Sequence, residues 1–134
     1  MSQTYIPVAL RRQVRERAGE RCEYCLLPED VAFFPLEPDH IIAEKHQGQT
    51  TAENLALACF DCNRFKGSDI SSIDPIGGGI VALFNPRRDD WDEHFAVEDG
   101  RIIPLTAIER VTEHLLKFNL IERVEVRDTL AATG

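Results

Sequence analysis

Apolar positions along this chain fall into short segments whose period keeps changing, which predicts helices alternating with small strands rather than a repeat or a long bundle. Val8, Leu10, Val14 and Ala18 recur among Arg11, Arg12, Arg15 and Arg17, with Pro7 ahead and Gly19 behind, and so predict a helix at about 7–18. Pro28, Pro35 and Pro38 break up residues 26–38, leaving an irregular connection with a short strand around 31–34. The β-prone run 39–43, a turn at 48–51 and the apolar run 55–58 then read as a loose hairpin. Residues 59–66 follow as a knuckle running into a short helix, with Gly67 as its C-terminal cap.

The second half alternates in the same way. A strand at 80–84 follows Pro75 and three glycines and is ended by Asn85-Pro86. Runs at 95–97 and 101–103 flank Glu98-Asp99-Gly100, a hairpin signal. Thr106 with Glu109 forms a capping box, and Ile108, Val111, Leu115 and Phe118 share a helical face, predicting a helix at 107–118 and a last one at 121–131. The expected class is α+β. The 134 residues suit one compact domain, with its chemical core at about 20–68 and a C-terminal extension of strands and helices at about 69–134.

Composition narrows the options. Hydrophobic residues make up 43% and charged residues 28%, values of a folding chain rather than a disordered one. No apolar run approaches the roughly 18 residues of a membrane span, the run 80–84 having five. The opening residues lack the apolar stretch of a secretory leader, so a cytoplasmic address and no membrane partner are expected. With 15 basic against 23 acidic residues the net charge is -8, which argues against holding a polyanion by bulk electrostatics alone. Residues 40–68 are balanced, Lys45, Arg64 and Lys66 offsetting Glu44, Glu53 and Asp61.

The four cysteines form two pairs, Cys22-Glu-Tyr-Cys25 and Cys59-Phe-Asp-Cys62. Two residues between thiolates let one tight turn aim both sulfurs at a point, and two such turns make a tetrahedral cage for structural Zn²⁺. Two disulfides, or a redox-active thiol pair, are the competing readings. Between the pairs lie Asp39-His40 and Asn54, and Asn63 directly follows Cys62. A hairpin followed by a helix brings Asp39, His40 and Asn63 close together. A carboxylate and an amide oxygen suit Mg²⁺ or Mn²⁺, and an imidazole beside the ion can take a proton from water. Because neighbouring strand side chains point to opposite faces, Asp39 and His40 share a site only if Asp39 starts the strand or sits at a bulge, and Pro38 favours that arrangement.

CEYC at 22–25, DHI at 39–41, ENL at 53–55 and CFDCNRFKG at 59–67 resemble the HNH endonuclease family, also called ββα-metal or His-Me finger nucleases. The likeness covers about a third of the chain; 83–95 and 100–106 also look like the C-terminal part of small bacterial members. It implies a ββα-metal core with a four-Cys zinc site, and hydrolysis of DNA, with RNA left open, to 5′-phosphate and 3′-hydroxyl ends. His40 would be the general base and Asn54 would brace the hairpin loop and orient it. Asp39 and Asn63 would hold the catalytic Mg²⁺ or Mn²⁺, with Arg64 and Lys66 as phosphate contacts. The eponymous third residue is Asn63 instead of His, which shifts preference toward Mg²⁺. Oligomeric state stays open. The rival reading is a zinc-ribbon binding module without cleavage.

Overall fold

The computed structural model describes residues 5–133. Among them the chain is mixed α and β, with strands paired as three two-stranded antiparallel ribbons. It divides into two compact units: residues up to Ile70 with Asn85–Arg87, and Ser71–Phe84 with the residues from Arg88 onward.

The first unit opens with α1, Val8–Ala18. Pro7 precedes it, and Gly19, at φ 66°, ends it by turning its N–H back to Arg15 and Glu16 carbonyls. Three of its four arginines, Arg11, Arg15 and Arg17, tie the unit together. Arg17 donates to the carbonyls of Ala52 and Leu55 at 2.7 and 2.6 Å, Arg15 to that of Leu36 while pairing with Glu29, and Arg11 pairs with Glu37. The expected strand at 31–34 is absent; a single 3-10 turn, Glu29–Val31, follows Pro28, since no neighbouring strand is there to pair with.

β1 is Glu37–His40 and pairs in regular register with β2, Leu55–Ala58. The first strand therefore starts and ends earlier than the expected 39–43. Its end has a specific cause: the Asn54 side chain accepts from Ile42 N at 3.0 Å and donates to Ile42 O at 2.9 Å, replacing the backbone ladder. All four residues of β2 are buried, and α1 packs against it. α2, Phe60–Lys66, starts at Cys59, whose sulfur accepts from Cys62 N, and ends at Gly67 with φ 53°.

In the second unit β3, Ser71–Ile73, pairs with β4, Ile80–Ala82. β4 stops before 84 because Leu83 and Phe84 are drawn into the core, Phe84 N donating to Thr112 Oγ1 at 2.8 Å. A one-turn helix, α3, Trp91–His94, precedes the expected hairpin, β5 Phe95–Glu98 and β6 Arg101–Pro104. Asp99 and Gly100 both take positive φ, 51° and 80°, as the two-residue turn requires. α4, Ala107–Leu115, carries the capping box and stops short of 118 because Lys117 turns left-handed at φ 53°. Phe84, Phe95 and Phe118 meet edge to face in the core, centroids 5.5 and 5.7 Å apart. α5 is Ile121–Thr133. No helix among the described residues is long and apolar enough to cross a membrane.

Candidate metal centres

The two Cys-X-X-Cys turns meet. All four cysteines are buried, and their sulfurs lie within 4.8 Å of one another. Tetrahedral Zn–S bonds of about 2.3 Å place sulfurs about 3.8 Å apart; Cys25 and Cys59 stand at 3.7 Å, far beyond the bonding distance of a disulfide. In each turn the second cysteine's N–H points at the first one's sulfur, at 3.5 Å in Cys22-Cys25 and 3.4 Å in Cys59-Cys62. Those donors favour thiolate. Burial pushes the Cys22 and Cys62 thiols well up, an expense that a dication removes by binding the sulfurs as thiolates. The donor set fits zinc as a closed structural site.

The first turn is also clipped to β2. Glu23 N donates to Leu57 O, Leu57 N donates back to the Glu23 carboxylate at 2.8 Å, and the other carboxylate oxygen pairs with Arg87. Burial, with Arg17 nearby, lowers Arg87 to about 10. Arg87 is thus occupied by the zinc turn, a partner distant in sequence.

The second constellation lies where β1 meets α2. Asp39 stands opposite Ala56 in the ladder. Asp39 Oδ2 is buried and has no hydrogen-bond partner among the described residues. The closest cation is Lys66 Nζ at 3.9 Å, too far for a hydrogen bond. Burial raises the Asp39 carboxyl and lowers the Lys66 ammonium, each offset in part by the other. Desolvation therefore outweighs their attraction, and the carboxylate is short of positive charge.

Lys66 is not a phosphate contact as expected from sequence. Only 2% exposed, it donates to the carbonyls of Ile41 at 2.9 Å and His40 at 3.3 Å, locking the end of α2 onto the end of β1. Asn63 is one helical turn earlier, on the same side of α2, and half-buried. Arg64, by contrast, is 55% exposed beside Asp61.

His40 is the last residue of β1 and is buried. The ladder is regular through Asp39 and His40, so the expected strand start or bulge at Asp39 is absent and the two side chains leave opposite faces. The Asp39 carboxylate faces α2, while His40 Nε2 meets Thr50 Oγ1 at 2.9 Å. From sequence Thr50 reads only as a turn residue; a hydroxyl ten residues from a histidine is no signal until the loop closes.

Asn54 closes that loop, adding a bond to Gln49 O at 2.8 Å. Gly48 is required there by proximity: a Cβ would stand 1.7 Å from Ile42 O and 2.9 Å from Asn54 Nδ2. Gly48→Ala is expected to spread the loop and displace Thr50 from His40, with loss of amide protection confined to residues 41–54; unchanged exchange there would refute the packing argument.

No curated protein and no solved structure matches the chain. Residues 22–69, the span that holds both cysteine turns, β1, β2 and α2, match the family model described as HNH endonuclease.

Proposed function

We propose that this protein is a metal-dependent endonuclease that hydrolyses DNA phosphodiester bonds to 5′-phosphate and 3′-hydroxyl ends, on a ββα-metal core formed by β1, β2 and α2. One observation carries the reading beyond the family: the buried, unpartnered Oδ2 of Asp39, facing a helix with the Asn63 amide on the same side. Asp39 and the amide oxygen of Asn63 would hold Mg²⁺ or Mn²⁺ as hard oxygen donors. When bound, such an ion would supply positive charge to offset the negative charge that develops at the phosphate.

The chain's own residues do the rest. With Nε2–H donated to Thr50, His40 presents the Nδ1 lone pair to a water and takes its proton during attack. In-line displacement puts attacking and leaving oxygens on opposite sides of phosphorus. Asn54 acts as a positioning residue by holding the loop that carries Thr50. Lys66 holds β1 against α2 without competing as a ligand.

The test is a zinc-loaded protein incubated with supercoiled plasmid DNA. Nicked circles should form with added Mg²⁺ or Mn²⁺ and should not form without them, and their 3′ ends should prime a polymerase without phosphatase treatment. DNA binding with no cleavage in either metal would make the protein a zinc-ribbon binding module instead.

A further inference from the structure

The first unit exposes an aromatic surface that neither metal centre uses. Phe33 is 93% exposed, Phe34 48% and Phe60 50%. The Phe33 and Phe34 rings meet edge to face with centroids 4.9 Å apart, and Phe34 tilts against Phe60 at 4.8 Å. The Arg64 guanidinium lies across ring faces, 5.5 Å from the Phe60 centroid and 4.4 Å from that of Phe65. Clustered phenyl rings left in water forgo the burial that would stabilise them, so such a patch marks a binding surface.

Its position decides what it binds. Phe60 and Arg64 flank Asn63 on α2, three residues before it and one after. At a rise of about 1.5 Å per residue, Phe60 is about 4.5 Å from Asn63 along the helix and about 60° away around it. We propose that Phe33, Phe34 and Phe60, with Arg64, form a stacking platform for unpaired bases of the nucleic acid strand whose phosphate lies at Asn63. The proposal rests on the nuclease reading for its placement of that phosphate.

Net charge gives a nucleic-acid strand no bulk attraction here. The chain has 23 acidic against 15 basic residues, and the segment 40–68 is only neutral. Its affinity for a polyanion must come from an interaction that does not depend on net charge. Stacking is one, since every base has a π-face, and Arg64 adds one cation at the rim for the backbone. Perfect duplex hides its base faces. The substrate class is therefore nucleic acid with unpaired bases beside the cut: single strands, flaps or bubbles.

Binding is read apart from cleavage, with zinc-loaded protein, no added Mg²⁺ or Mn²⁺, and a fluorescein-labelled single strand of about 12 nucleotides or its duplex. The single strand should bind more tightly. Phe33→Ala and Phe60→Ala should each weaken single-strand binding about fivefold or more, by the same factor at about 50 and 200 mM salt, whereas Phe60→Tyr should not. Arg64→Ala should instead flatten the dependence of log affinity on log salt by about 0.7. Unchanged single-strand affinity in both Phe→Ala variants, or an equal loss on duplex, overturns the platform. So does a Phe33→Ala change in sedimenting mass without a change in affinity, which makes the patch a contact between copies of the chain. A wild type that binds strands through these rings yet cuts no nucleic acid refutes the nuclease reading and keeps the platform; cutting with ring-independent binding does the reverse.

Discussion

Removal of zinc will unfold the first unit. A core of about 70 residues rarely supplies more than about 3–5 kcal/mol, whereas a structural four-Cys zinc site contributes on the order of 10 kcal/mol. The metal therefore decides the outcome, and the buried hydrophobic residues of this unit, Val14, Leu36, Leu55 and Leu57 among them, cannot replace it. The cage joins the segment before β1 to the turn that starts α2, so its loss frees both ends of the hairpin at once. With a strong chelator, or in Cys62→Ala, amide protection across residues 20–70 should collapse. Acid should do the same. In the zinc-bound cage the thiolates stay ionised well below the ordinary thiol value of about 8.5, so the stabilisation is present above that range and is lost as pH falls through the bound-state value. Without the ion, burial returns Cys22 and Cys62 to neutral thiols, which makes zinc release at low pH coincide with unfolding. Retained protection after the metal has been removed would sink the claim that the ion holds this unit.

What could be read from sequence follows from how local its cause is. The two-residue spacing of each cysteine pair, the Thr106–Glu109 box and the Asp99-Gly100 turn act within a few residues, and each appears where expected. Lys66 misled because a lysine on a short polar helix reads as solvated, while its partners are carbonyls 25 and 26 residues earlier that exist as a pair only after β1 ends. Arg15 and Arg17 behave alike, serving carbonyls 21 to 38 residues away. β3 is three residues, two of them serine, too short and polar to show a period. In the candidate site, Asp39 and His40 were visible as residue types, but their divergence on a regular ladder and the Thr50 bond depend on register and loop closure.

His40→Ala will lower metal-dependent cleavage by about 10²- to 10⁴-fold, the usual contribution of a general base. The ring is nearly buried, so loss of fold must be separated from loss of chemistry. A magnesium titration makes that separation. His40→Ala should lower the plateau rate and leave the half-saturating Mg²⁺ unchanged, because no ligand atom is touched, and added imidazole should restore part of the rate. Asn63→Ala and Asp39→Asn should instead raise the half-saturating Mg²⁺, since each weakens a hard oxygen donor. Thr50→Val removes the hydroxyl that meets His40 Nε2 at 2.9 Å, so it should lower the plateau rate while zinc content and Mg²⁺ affinity stay as in the wild type. Lys66→Met gives the contrast: leaving the His40 and Ile41 carbonyls unpaired should cost about 1–3 kcal/mol of stability. Wild-type cleavage by a folded, zinc-loaded His40→Ala protein would remove the base from the mechanism. If Asn63→Ala also titrated with Mg²⁺ like the wild type, the meeting of β1 and α2 would be a structural joint and the chemistry would lie elsewhere.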